Sequence, residues 1–202
     1  MSTREALVQR AIGIVRRAGY AGFSYADLSD AIGIRKASIH HHFPSKEDLG
    51  LAMVVRYRRD FAQELASIER HRTHAVQRLA AYAGLYRAGL EQGSGCLCGV
   101  LALEISLLPT SVADGVRAFF DENEKWLEHV LAQGRRTGEL RRLRHPTAAQ
   151  QAHVILATLQ GAMVMARARQ DIEIFDEAAR GLMATMGAWC VSGRRDERED
   201  GQ

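Results

Sequence analysis

The stretch Ser24-Tyr-Ala-Asp-Leu-Ser-Asp-Ala-Ile-Gly-Ile-Arg-Lys-Ala-Ser-Ile-His-His-His-Phe-Pro-Ser-Lys-Glu-Asp-Leu49 decides the fold. Ser24 precedes Asp27 by three residues, a capping-box pattern that opens a helix, and Gly33 closes it. A very short helix follows, from about Arg35 to His41, and Ser45 with Asp48 caps the next one. Helix, glycine turn, short helix and newly capped helix is the order of a helix-turn-helix, which seats polar side chains in a DNA major groove.

A reader helix needs one face anchored in a core and one polar face. Ile34, Ile39 and Phe43 supply the anchor, leaving Lys36, Ser38, His40 and His41 outward or along the groove. Lys36 can donate to guanine O6/N7 or to phosphate, Ser38 can bond either, and Ala37 offers a methyl-sized contact to thymine. Ser24 and Lys46 stand at helix N-termini, where unpaired N–H groups and the dipole favour phosphate, so they read as positioning contacts. The same polar row fits a helical hairpin whose outer face is merely solvated, and spacing alone leaves both readings open. The run His40-His41-His42 is no metal site, because neighbours on a helix point about 100° apart and cannot converge on one ion.

Composition agrees with a helical chain. The 202 residues are 47% apolar and 25% charged, enough for a sizeable core in one or two domains. Pro44, Pro109 and Pro146, the only prolines, stand where helical patterns break, which favours an all-α chain. The net charge is +3, distributed as +4 over residues 1–60 and −1 over the rest, so the excess lies with the helix-turn-helix pattern in the sense phosphate attraction requires. Cys96, Cys98 and Cys190 form no disulfide framework and suit a reducing compartment. No apolar run of about 18 residues and no signal core are present, so a cytoplasmic protein with no membrane partner is expected.

Periodicity and caps predict a first helix over 3–18, opened by Ser2 and Glu5, and a fourth from Ser45 to about Arg70. Further helices are predicted over 74–92 and 97–107, from a Ser111–Asp114 cap to about Arg136, from a Thr147–Gln150 cap to about Arg169, and over 172–191. The expected domains are 1–50 for DNA and 51–192 for the larger helical region, joined through the fourth helix. The charged tail 193–202 is expected to be disordered.

Residues 24–49 resemble the DNA-binding signature of the TetR/AcrR family of bacterial transcriptional regulators. The resemblance rests on Leu28-Ser29-Asp30-Ala31-Ile32-Gly33-Ile34, on Ser38-Ile39-His40-His41-His42-Phe43, and on Lys46-Glu47-Asp48-Leu49. The family usually has tyrosine where this chain has His40, which makes that phosphate contact pH-dependent. The resemblance implies an all-α fold, with an N-terminal three-helix DNA-binding domain and a larger ligand-binding and dimerisation domain. It places DNA contacts at Ser24, Tyr25, Lys36, Ala37, Ser38, His40, His41, His42 and Lys46. It further implies a homodimer on a near-palindromic operator, repression as the default, release by an effector, and no cofactor.

Dimer contacts are expected at Val154, Thr158, Gly161 and Met165, and at Leu182, Met186 and Trp189, although the same stripes equally suit an intramolecular core. An effector pocket among the middle helices draws on Tyr82, Tyr86, Leu103, Glu104, Leu107, Phe119, Trp126, His129, Met163 and Arg167, each of which also suits plain core packing. Cys96 and Cys98 fall at a predicted helix N-terminus, where the dipole lowers a thiol pKa. The Cys96-Leu-Cys-Gly99 segment is similar to that of thiol-reactive members of the family, which adds an electrophile to the candidate effectors. A cysteine is also a small buried hydrophobe. Two rival classes remain: a helical enzyme using Glu104, His129 and the cysteines, for which no reaction-selecting motif exists, and a non-specific architectural DNA-binding protein, which calls for more charge than +3.

Overall fold

The helix starts follow the caps. The computed structural model describes residues 2–140 and 146–186. Its helices are α1 (Thr3–Ala18), α2 (Tyr25–Ile32), α3 (Lys36–His42), α4 (Lys46–His71), α5 (Ala75–Glu91), α6 (Leu97–Leu103), α7 (Thr110–Thr137), α8 (Ala148–Arg169) and α9 (Glu173–Thr185), with one 3-10 turn at Ile105–Leu107. No strand occurs among the described residues. Reciprocal capping boxes open α1 at Ser2, α2 at Ser24, α4 at Ser45 and α8 at Thr147, each satisfying two N–H groups that the helix itself leaves unpaired.

Two predicted boundaries are corrected. The Ser111–Asp114 cap does not form: α7 is already under way at Thr110 behind Pro109, whose fixed φ suits a helix start. Ser111 instead donates to Glu47 Oε1 at 2.7 Å, and Asp114 pairs with Arg117. The helix predicted over 97–107 ends at Leu103, where the backbone at Glu104 turns to φ −111°, ψ 19°. The last helix is described only to Thr185, so Trp189, Cys190 and the tail 193–202 lie outside the described residues.

The first core is small and is completed by α4. Leu7, Ala11, Val15, Leu28, Ile39 and Phe43 are buried from α1 to the end of α3, and Leu49, Gly50 and Met53 close it from α4. The expected boundary at residue 50 therefore falls inside one continuous helix, whose Leu65 and Ile68 are buried further along. Three short helices could not bury this surface alone.

α7 is the axis of the larger region, packed against α4, α5, α6 and α8. Glu47–Ser111, Val54–Gly115 and Arg58–Glu122 pair in rising order along α4 and α7, so these two helices run the same way. Arg78–Gln133 and Tyr82–Asn123 pair in opposite order, so α5 runs against α7. α8 and α9 close the bundle as an antiparallel hairpin turned at Gln170, which takes a left-handed backbone (φ 55°).

Candidate nucleic-acid interface and effector region

The turn between α2 and α3 is held by hydrogen bonds around Gly33. Gly33 takes φ 75° and donates to the Ser29 carbonyl, as does Ile34, while the Ser29 hydroxyl returns a 2.6 Å bond to Ile34 O. Nothing lies within 4 Å of a Cβ built on Gly33, so the left-handed backbone alone demands glycine there. Arg10 ties the unit to α1 by donating to Ala31 O at 3.2 Å. Ile39 and Phe43 are buried, which fixes the rotation of α3 and turns Lys36, Ala37, Ser38, His40 and His41 to solvent.

The remaining expected DNA contacts are engaged within the protein. The Tyr25 hydroxyl, half-buried, lies 2.9 Å from Phe43 O and 2.6 Å from Ser45 O, spanning the α3–α4 turn. Loss of solvent, with Asp48 nearby, pushes its phenol up to about 12, so it stays a neutral donor. Lys46 folds its ammonium over the Tyr20 ring at 4.6 Å, and burial lowers its pKa. His42 is half-buried with its ring against His41. The Ser24 hydroxyl bonds Asp27 as a cap. His40 lies against the Tyr25 ring with centroids 4.8 Å apart. Arg35, missed by the sequence reading, is exposed beside Lys36; its signal was a second basic residue at the opening of the reader.

Seven of the expected effector residues share the interior of the larger region. Tyr82 OH donates to Asn123 Oδ1 at 2.9 Å and lies 3.0 Å from Tyr86 OH, with Trp126 stacked on its ring. Phe61 packs edge-on against Tyr82, Tyr86 and Phe119. Burial raises the Tyr57, Tyr82 and Tyr86 phenols, so this is an uncharged aromatic centre. Trp126 Nε1 is buried there without a partner, and Asn123 is buried too; neither Phe61 nor Asn123 was anticipated, being ordinary members of helical stripes. Cys96 N–H points at Met163 Sδ, 3.1 Å away.

Cys98 corrects an expectation. Both thiols are buried, and burial pushes the Cys98 thiol well above its ordinary value, with Cys96 adding to the rise. Loss of solvent outweighs any stabilisation from the start of α6.

Five expected effector residues lie elsewhere. Leu103 and Leu107 are on the surface, 77% and 67% exposed, and His129 is exposed on α7. Arg167 donates to Arg17 O, and Glu104 reaches the turn between α1 and α2. Leu103 borders a surface groove of about 500 Å³ between α6, α7 and α8, which Phe120, Leu156 and Gln160 also line. Of the dimer residues, Val154, Gly161 and Met165 are exposed on α8 and Thr158 is half-buried. Leu182 and Met186, by contrast, pack inside the protomer's own core.

An exposed polar row on a buried-anchored short helix, beside a larger helical region with an aromatic interior, defines a DNA-binding regulator with a separate effector domain. The model of the TetR family of bacterial regulatory proteins matches residues 7–53, and that of the tetracyclin repressor-like C-terminal domain matches residues 75–182. A TetR-family regulator from Agrobacterium tumefaciens, known as a crystal structure, is 37% identical with a TM-score of 0.86, over 91% of this chain and 96% of that one. Escherichia coli NemR in its reduced form is 27% identical with a TM-score of 0.79, over 91% and 96%. The transcriptional repressor DhaR of Mycobacterium sp. strain GP1 is 27% identical over 175 residues, 86% of this chain and 87% of its own. The chain belongs to the TetR family. It is a ligand-responsive DNA-binding transcriptional regulator, which sets aside the enzyme and the architectural protein. No helix among the described residues is long and apolar enough to cross a membrane.

Proposed function

We propose that this protein represses transcription in the cytoplasm by binding a near-palindromic operator as a homodimer, with α3 of each copy in a major groove. The observation that carries the reading is the outward row Lys36, Ala37, Ser38, His40 and His41 on a helix rotated into place by buried Ile39. Lys36 and Ser38 read bases, Arg35 and His41 reach phosphate, and Tyr25 and Lys46 brace the unit from behind. Repression follows the names of the relatives DhaR and NemR.

Release is by an apolar small molecule entering the aromatic centre, or by an electrophile that alkylates Cys96 or Cys98. The second route rests on the Cys96-Leu-Cys-Gly99 segment at the start of α6. Both thiols are buried, so alkylation requires α6 to open first, and the adduct then holds it open.

The test is a gel shift on the intergenic DNA beside the protein's own gene, with excess random DNA as competitor. A specific complex at moderate salt is expected, weakened in Lys36→Ala by about 1–3 kcal/mol with relaxed base preference. Competition by random DNA at equal concentration overturns the reading. Operator release by an electrophile that persists in Cys96→Ser, Cys98→Ser and the double variant ends the thiol route.

A further inference from the structure

Both ends of α6 are tied to the C-terminal end of α1. Before α6, Gly95 N–H donates to Arg16 O at 3.4 Å and Arg16 Nε donates to Gly95 O at 2.6 Å. After it, Glu104 spreads its carboxylate across the turn between α1 and α2. One oxygen accepts Tyr20 N–H at 3.2 Å and the other accepts Ala21 N–H at 2.7 Å. Bonds between a carboxylate and backbone N–H groups are roughly twice as strong as neutral ones.

The surroundings are shaped to admit this carboxylate. A Cβ on Gly19 would stand 2.2 Å from Glu104 Oε1, and Gly19 itself takes φ +82°. The run Leu101-Ala-Leu-Glu-Ile-Ser-Leu107 contains no glycine or proline, yet α6 breaks at Glu104, whose side chain bonds the turn between α1 and α2. The held turn leads directly into the Ser24 cap of α2. Tyr20 carries the contact onward, because its ring lies under the Lys46 ammonium and its hydroxyl donates to Lys46 O at 3.1 Å, in the first turn of α4.

We propose that Glu104 is a positioning residue for operator recognition: its carboxylate sets the pose of α2 and α3 against the effector domain and passes any displacement of α6 to them. This rests on the operator-binding reading above. An α6 shift that withdraws Glu104 exposes two N–H groups and frees the turn, so the two reader helices of a dimer lose their fixed separation.

The experiment uses the full-length protein and a duplex selected by the wild type from a random pool, together with the same duplex carrying one inserted base pair between half-sites. Glu104→Asp, shorter by one methylene (about 1.5 Å), and Glu104→Ala both lose the reach; Glu104→Gln keeps the volume and one acceptor oxygen. The expected results are faster amide exchange at Tyr20 and Ala21 with α3 unchanged, and an affinity loss of about tenfold for the selected duplex. The preference over the inserted duplex shrinks, and Gln falls between wild type and Ala. A merely structural cap would lower the melting temperature and leave spacing discrimination as it was; that result overturns the proposal, as does unchanged exchange at Tyr20 and Ala21. If Ala and Asp do not fold, Gln alone decides by its spacing discrimination. If the wild type selects no duplex, the operator reading fails instead, whatever Glu104 does to exchange.

Discussion

The His40 imidazole lies against the Tyr25 ring with Nδ1 3.4 Å from the Pro44 carbonyl oxygen. In the neutral tautomer that donates there, Nε2 carries a lone pair and has nothing to give a phosphate. Tyrosine, which the family pattern usually places here, donates at any physiological pH. We expect His40→Tyr to tighten operator binding by about 3- to 10-fold in anisotropy titrations, the worth of one hydrogen bond. The Ser24 hydroxyl and backbone N–H hold the Asp27 carboxyl below its ordinary value of 3.8. A depressed carboxylate contributes stability that is complete above the ordinary value and lost as pH falls through the folded one. Thermal unfolding of Asp27→Asn should therefore vary less with pH below about 4 than that of the wild type, and Ser24→Ala should cost about 1 kcal/mol at neutral pH.

At the scale of elements, much was legible because it is local. A Ser or Thr three residues before an acid or Gln needs only its own turn to form a cap, and four of five such patterns did. Ser111 failed because Pro109 had already started the helix two residues earlier. The end of α6 was illegible for the opposite reason: its partner, the turn at Tyr20 and Ala21, lies more than eighty residues away. The helix-start position of the cysteines was likewise readable, but not the burial that raises the Cys98 thiol, since burial belongs to the neighbours. Leu103 and Leu107 have the apolar spacing of a core stripe and only the tertiary packing shows them outside. The close approach of α4 and α7 offers a test at this scale. A Cβ on Gly115 would stand 2.7 Å from Val54 Cγ1, and a β-branched side chain has little rotamer freedom to yield. The helix-propensity gain of alanine, about 1 kcal/mol, is outweighed by overpacking. Gly115→Ala should lose about 1–2 kcal/mol in denaturant melts, recovered in part by pairing it with Val54→Ala.

For the whole molecule, α8 shows how one stripe divides. Leu159, Ala162, Met163 and Ala166 are buried in the protomer, while Val154, Gly161, Val164 and Met165 stay outside, half of each large side chain in water. The sequence reading could not separate these uses, because small and apolar residues satisfy a core and an interface alike. Nothing lies within 4 Å of a Cβ on Gly161, so Gly161→Arg is accommodated by the folded protomer. It should give an unchanged helical spectrum, a monomer by light scattering, and loss of specific operator binding. A dimer of unaltered stability would show that this face of α8 is not the interface.

α4 continues for 26 residues without a break, about 39 Å, from the cap beside the reader helix to beyond the aromatic centre. Such a helix transmits angle as distance. A tilt of about 5° around its far end carries the reader end sideways by about 3 Å, close to the rise of one base step. In the twofold pair proposed above the two displacements would add, making the molecule a caliper: a rotation too slight to disturb its packing would change the gap it measures on DNA by about two base steps.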